Sequence, residues 1–116
     1  MINSSKQNSW AEDIKMRMEI LLNGFKAKCN NLEDEKNKKI ISKVENIIKC
    51  GSTNYVIDEY KSLTDEALVK MFDMSDTKFC KVFIMLFSTK NFLYEFQQKQ
   101  RIEFQNKLEE IKAKYY

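Results

Sequence analysis

The stretch SWAEDIKMRMEILLNGFKAK, Ser9 to Lys28, decides the fold. Trp10, Ile14, Met18, Leu21, Leu22 and Phe25 recur in it at the three- and four-residue steps that gather side chains on one face of an α-helix. Ser9 followed by Glu12 is the S-x-x-E pattern, in which a hydroxyl and a carboxylate satisfy amide groups at a helix start. The spacing predicts a helix over 10–28, with residues 1–8 as a flexible tail. Gly24 falls inside the pattern rather than after it, at a cost of about 1 kcal/mol relative to alanine. Its position marks close packing of a neighbour.

The rest of the chain repeats this grammar. Asn30 and Asn31 break the first helix, and Glu33, Asp34 and Glu35 supply an N-cap and first-turn acids for a second one carrying Leu32, Ile40, Ile41, Val44, Ile47 and Ile48. The opening turns of that helix, apolar-free from Glu33 to Lys39, are expected in solvent. Gly51 is expected to end it in the left-handed conformation. Ser52, Thr64 and Ser75 then cap three short helices built on Val56, Ile57, Tyr60 and Leu63, on Leu68, Met71 and Phe72, and on Phe79, Val82, Phe83 and Leu86. The run from Phe79 to Phe87 is apolar on nearly every face, which predicts a central helix surrounded by others.

Beyond a polar stretch at Ser88 to Asn91, Phe92, Leu93 and Phe96 continue the core. Phe104, Leu108, Ile111 and Tyr115 then step by four, three and four, a seam of about two heptads. That seam suits packing against the first helices, self-association or a partner's groove.

The chain holds 116 residues with no proline, no histidine and two glycines. Strand-and-turn folds depend on proline and glycine, and both weaken helix interiors. The expected architecture is therefore all-α, a compact bundle of five or six helices with a longer C-terminal helix, forming one domain over 9–116. Trp10, Ile14, Leu21, Phe25, Ile41, Val44, Ile48, Phe79, Phe83 and Leu86 are the expected core.

Composition narrows the chemistry. Without histidine the chain lacks the commonest general acid/base and the commonest metal ligand. It carries no glycine-rich phosphate loop, no G-x-S-x-G elbow and no HExxH. Neighbouring acids such as Glu33/Asp34, Asp58/Glu59 and Asp65/Glu66 diverge by about 100° on a helix and cannot flank one substrate. Cys29, Cys50 and Cys80 form no CxxC pair and read as reduced thiols. Cys80, between Lys78 and Lys81, is either an activated thiolate or, far more in keeping with its apolar run, a packing residue. The expectation is a non-enzyme with no cofactor and no metal site.

Two surfaces stand out instead. Tyr94, Phe104, Leu108, Ile111, Tyr115 and Tyr116 offer apolar and aromatic anchors of the kind that dominate interfaces. Lys26, Lys28, Lys36, Lys38, Lys39 and Lys43 gather near the first interhelical turn and are candidate phosphate contacts, though Glu33, Asp34 and Glu35 stand among them. The net charge is +3, and only Arg17 and Arg101 are arginines, the side chains that grip phosphate bidentately. The first expectation is a helical protein-interaction or scaffold module. A lysine-mediated nucleic-acid binder and a pathogen- or virus-encoded decoy for a host protein are the alternatives. Residues 1–9 are too polar for a leader, and the run Val82 to Phe87 is far short of the about 20 apolar residues of a membrane span, so a cytoplasmic or nuclear location is expected.

The segment Asp13-Ile14-Lys15-Met16-Arg17-Met18-Glu19-Ile20-Leu21-Leu22 resembles the opening helix of the domain shared by the steroid receptor RNA activator protein and the carboxy-terminal end of the outer COPII coat subunit. Val44 to Leu63, with its break at Gly51-Ser52 and then Asn54, Ile57, Tyr60 and Leu63, is similar to the next two helices of that family. The chain departs from it in having phenylalanine, at Phe72 or Phe79, where the family has tryptophan. The resemblance implies a compact non-enzymatic bundle making protein contacts in coat assembly or regulatory complexes, and implies no catalytic residue.

Overall fold

The computed structural model describes residues 5–88 and 102–116, with side chains described for 6–88 and 106–116. Six helices follow one another: α1 (Ser5–Lys28), α2 (Glu35–Cys50), α3 (Thr53–Tyr60), α4 (Asp65–Phe72), α5 (Asp76–Ser88) and α6 (Ile102–Tyr115). The described residues contain no strand. The radius of gyration is 14.0 Å, near the about 13 Å of a compact chain of this length. An all-α bundle is the result.

Local chemistry places most helix starts. Asp34 accepts a hydrogen bond from the Lys36 amide at 2.9 Å. Ser52, Thr64 and Ser75 accept from Tyr55, Ala67 and Lys78 amides at 3.2, 3.2 and 3.3 Å. Each cap satisfies an amide that has no partner within its own helix.

The first helix departs from the expected start. It begins at Ser5, so Ser9 and Glu12 lie inside it and residues 5–8 are not a tail. Asn8 explains the extension: its Oδ1 accepts from the Thr53 hydroxyl at 3.0 Å and ties that extra turn to α3. With 24 residues α1 is the longest described helix.

α1, rather than α5, is the central element. Ile20, Leu21 and Leu22 are all buried although successive side chains point about 100° apart, so neighbours cover more than half of the helix circumference. Among the described residues α5 is buried along one side, through Phe79, Val82, Phe83, Leu86 and Phe87, while Lys81 and Met85 face outward.

Aromatic contacts join the layers. Phe25 stacks on Phe83 with ring centroids 4.3 Å apart, and Phe83, Phe87 and Tyr60 continue the cluster toward α3. Of the ten expected core residues, Ile14, Leu21, Phe25, Val44, Phe79, Phe83 and Leu86 are buried. Ile41 and Ile48 are only half-buried, because α2 buries a narrow strip of Asn37, Val44 and Ile47. Trp10 is 45% exposed: the shallow hollow beside it is lined by Lys6, Ser9 and Asp13 of its own helix, and no other described element covers it.

Asn37 also corrects the picture of a fully solvated α2 start. It is buried, and its amide donates to the Asn31 carbonyl at 2.8 Å and to Cys29 Sγ at 3.7 Å. Gly51 does not adopt a left-handed conformation, having φ −63° and ψ 129°. What it supplies is space, since a Cβ there would lie 2.5 Å from the Ile47 carbonyl oxygen. Gly24 meets a neighbour as expected, with a Cβ at its position falling 2.6 Å from Phe72 Cζ.

Candidate functional site

The C-terminal turn of α1, the N-terminal turn of α5 and the last turn of α6 enclose a hollow of about 680 Å³, lined by Asn23, Ala27, Lys28, Asp76, Lys114, Tyr115 and Tyr116. Its floor is Lys28. The ammonium donates to Asp76 Oδ1 at 2.9 Å and lies 5.8, 5.6 and 5.8 Å from the ring centroids of Phe72, Phe79 and Tyr115. Ring faces attract a cation through their quadrupoles, so the three rings and the carboxylate hold it from several sides. Burial alone opposes its charge, but the Asp76 contact and Tyr115 outweigh that and raise its pKa above the ordinary lysine value. The floor is therefore a fixed positive charge.

Asn23 fixes the opposite wall by donating to the Tyr115 carbonyl at 2.8 Å, and the Tyr115 ring packs on Phe72 with centroids 4.7 Å apart. Lys114 and Tyr116 remain exposed beside this braced wall, Tyr116 at 64% of its surface. A rigid hollow with an aromatic and two ammonium groups at its edge suits a peptide segment that carries both apolar and acidic character.

The structure sorts the sequence candidates. Leu108 is 3% exposed, and Ile111 and Tyr115 are half-buried against α1 and α4, so this seam is used within the chain and is not an open anchor surface. Tyr116 stays accessible. The Phe104 side chain, and Tyr94 together with Phe92, Leu93 and Phe96, lie outside the described residues.

The lysines do not form one phosphate-binding face. Lys26 pairs with Glu45 at 3.5 Å, Lys28 with Asp76 at 2.9 Å and Lys38 with Glu33 at 3.4 Å, while Lys43 donates to the Phe87 carbonyl at the end of α5. Lys36 and Lys39 are exposed on α2. Only Lys28 joins the hollow.

Sequence reasoning missed Asn23 and Asp76. Asn23 left a signal, being a poor helix former next to glycine inside the strongest helix. Asp76 looked only like a first-turn acid.

Cys80 is not an activated nucleophile, because burial and the adjacent Cys29 thiol push its pKa up to about 11. Cys29 is half-buried and Cys50 exposed, and all three thiols are free. Among the described residues no group of three or more Cys, Asp and Glu side chains is placed to hold a metal ion, and no helix is long and apolar enough to cross a membrane. Comparison with models of protein families, with curated proteins and with solved structures gives no match to this chain.

Proposed function

We propose that the protein is a non-enzymatic helical module that binds a protein partner through the hollow between α1, α5 and α6. The observation that carries this reading is Tyr116, 64% exposed beside Lys114 on a wall braced by the Asn23–Tyr115 hydrogen bond and the Lys28 cation–π contacts. Exposed tyrosine on a preorganised support loses little conformational freedom on binding. A role as scaffold in coat assembly or in a regulatory complex follows from the sequence resemblance. Free thiols agree with a reducing cytoplasmic or nuclear setting.

The test is affinity purification of the full chain from its native cells at moderate salt, beside a Lys114→Ala/Tyr116→Ala variant whose helicity matches the parent. Specific proteins retained by the parent and lost by the variant are expected. An undiminished set of partners on the variant overturns the placement of the site. Binding only to nucleic acid, with steep loss as salt rises, overturns the class.

A further inference from the structure

The seam between α1 and α5 has a fixed register. Phe25 stacks on Phe83 at 4.3 Å, Lys28 reaches Asp76 at 2.9 Å, and Phe79 Cζ lies 3.1 Å from where a Cβ on Gly24 would stand. These contacts bracket Cys29, just after α1, and Cys80, in the second turn of α5. The two thiols stand beside each other across the seam and interact directly. Both are half-buried against the core, whereas Cys50 is exposed at the far end of α2.

We propose that Cys29 and Cys80 are a redox-closable pair, which a peroxide converts to an intramolecular disulfide tying the end of α1 to α5. One sulfur, as thiolate, attacks a peroxide oxygen; the O–O bond breaks, the first water leaves and a sulfenic acid remains. The second sulfur then attacks the sulfenic sulfur, forming S–S and breaking S–O, and a second water leaves. Two electrons pass from the sulfurs to the peroxide, and both thiol protons end in water. The groups facing Cys80 are Cys29 and Lys28 from α1 and Asp76 from its own helix. Because Cys80 is held as a thiol at neutral pH, closure is slow there and accelerates as pH rises. Asn37, which bonds Cys29 Sγ, places the closed bridge at the junction of α1, α2 and α5.

Chain statistics provide the discriminating experiment. In an unfolded chain the shortest loop closes most readily, which favours Cys29–Cys50 over Cys29–Cys80. The full chain is treated with hydrogen peroxide, folded and in urea, and the linked peptides are quantified by mass spectrometry without reduction. In the folded chain the Cys29–Cys80 peptide is expected to exceed either Cys50 linkage by about tenfold or more, and the preference to reverse in urea. Cys50→Ser is expected to leave the folded product unchanged, and dithiothreitol to reverse it with helicity retained throughout. Oxygen addition to the thiols without the Cys29–Cys80 link, dominance of Cys50 linkages in the folded chain, or loss of helix on closure overturns the proposal.

Discussion

Asn23 donates its side-chain amide to the backbone carbonyl of Tyr115 at 2.8 Å, joining residues 92 positions apart. This bond and the buried Leu108 hold the last helix against α1 and α4. Replacing Asn23 with alanine removes the donor and leaves a half-buried carbonyl, and should cost about 0.5–1.5 kcal/mol. Amide exchange over 108–116 should rise with it. Unchanged exchange there would show that the bond does not secure α6.

Gly24→Ala pits helix propensity against packing. Elsewhere in a helix this change gains about 1 kcal/mol. Here the new methyl group would press on Phe72, whose ring is confined by Phe79 and Tyr115 with centroids 4.8 and 4.7 Å away. A net loss of about 1–3 kcal/mol is expected, and Phe72→Leu in the same chain should recover part of it. A stabilised single variant in a urea titration would contradict this.

Phe83 is fully buried and stacked on Phe25. Phe83→Ala should cost about 3–5 kcal/mol, combining lost transfer energy with a cavity the surrounding rings fill only partly. A loss below about 1 kcal/mol in a denaturant titration would deny this ring its central place.

Arg17 bridges α1 to the turn before α4, with Nε 2.7 Å from Asp65 Oδ1 and Nη1 donating to the Leu63 carbonyl at 3.2 Å. Arg17→Met should cost about 1.5–3 kcal/mol, because it strands a half-buried carboxylate and a carbonyl. Arg17→Lys should restore only part, since an ammonium lacks the planar fork that serves both acceptors. Equal stability of lysine and arginine variants would reduce the interaction to charge alone.

Stability should fall in alkali. Burial and Cys29 raise the Cys80 thiol from 9.0 to about 11, burial and then Tyr55 raise Tyr60 above its ordinary 10.0, and Lys28 is raised because Asp76 and Tyr115 outweigh the opposing effect of its burial. For each group the unfolded chain gives up its proton at lower pH than the folded one. The stabilisation is therefore complete below the unfolded values and is lost as pH rises through the folded ones. Urea midpoints should start to drop above pH 9.0, and Cys80→Ala should flatten the segment from 9.0 to about 11. Midpoints that hold or rise over that range would contradict these environments.

Much of the secondary structure was legible along the chain. The caps at Asp34, Ser52, Thr64 and Ser75 and the apolar periods of α2 to α5 depend on partners within about four residues. The missed start at Ser5 shows the boundary of that logic, because the tie that anchors the extra turn comes from Thr53 on α3. The candidate site was legible only as fragments. Tyr116 and Lys28 were named for different reasons, and nothing local brings them to one hollow with Asn23 and Asp76.

Helix after helix, the sequence by itself determined an all-α chain, since hydrogen bonding and side-chain period are set by near neighbours. Tertiary structure alone decided what each apolar stripe meets. Trp10 and Phe25 belong to one periodic series, yet Phe25 is sealed by Phe83 and Trp10 stands in solvent, because burial depends on which distant element arrives at each face. The same reason turned Leu108 inward, left Tyr116 outside and set Cys29 beside Cys80.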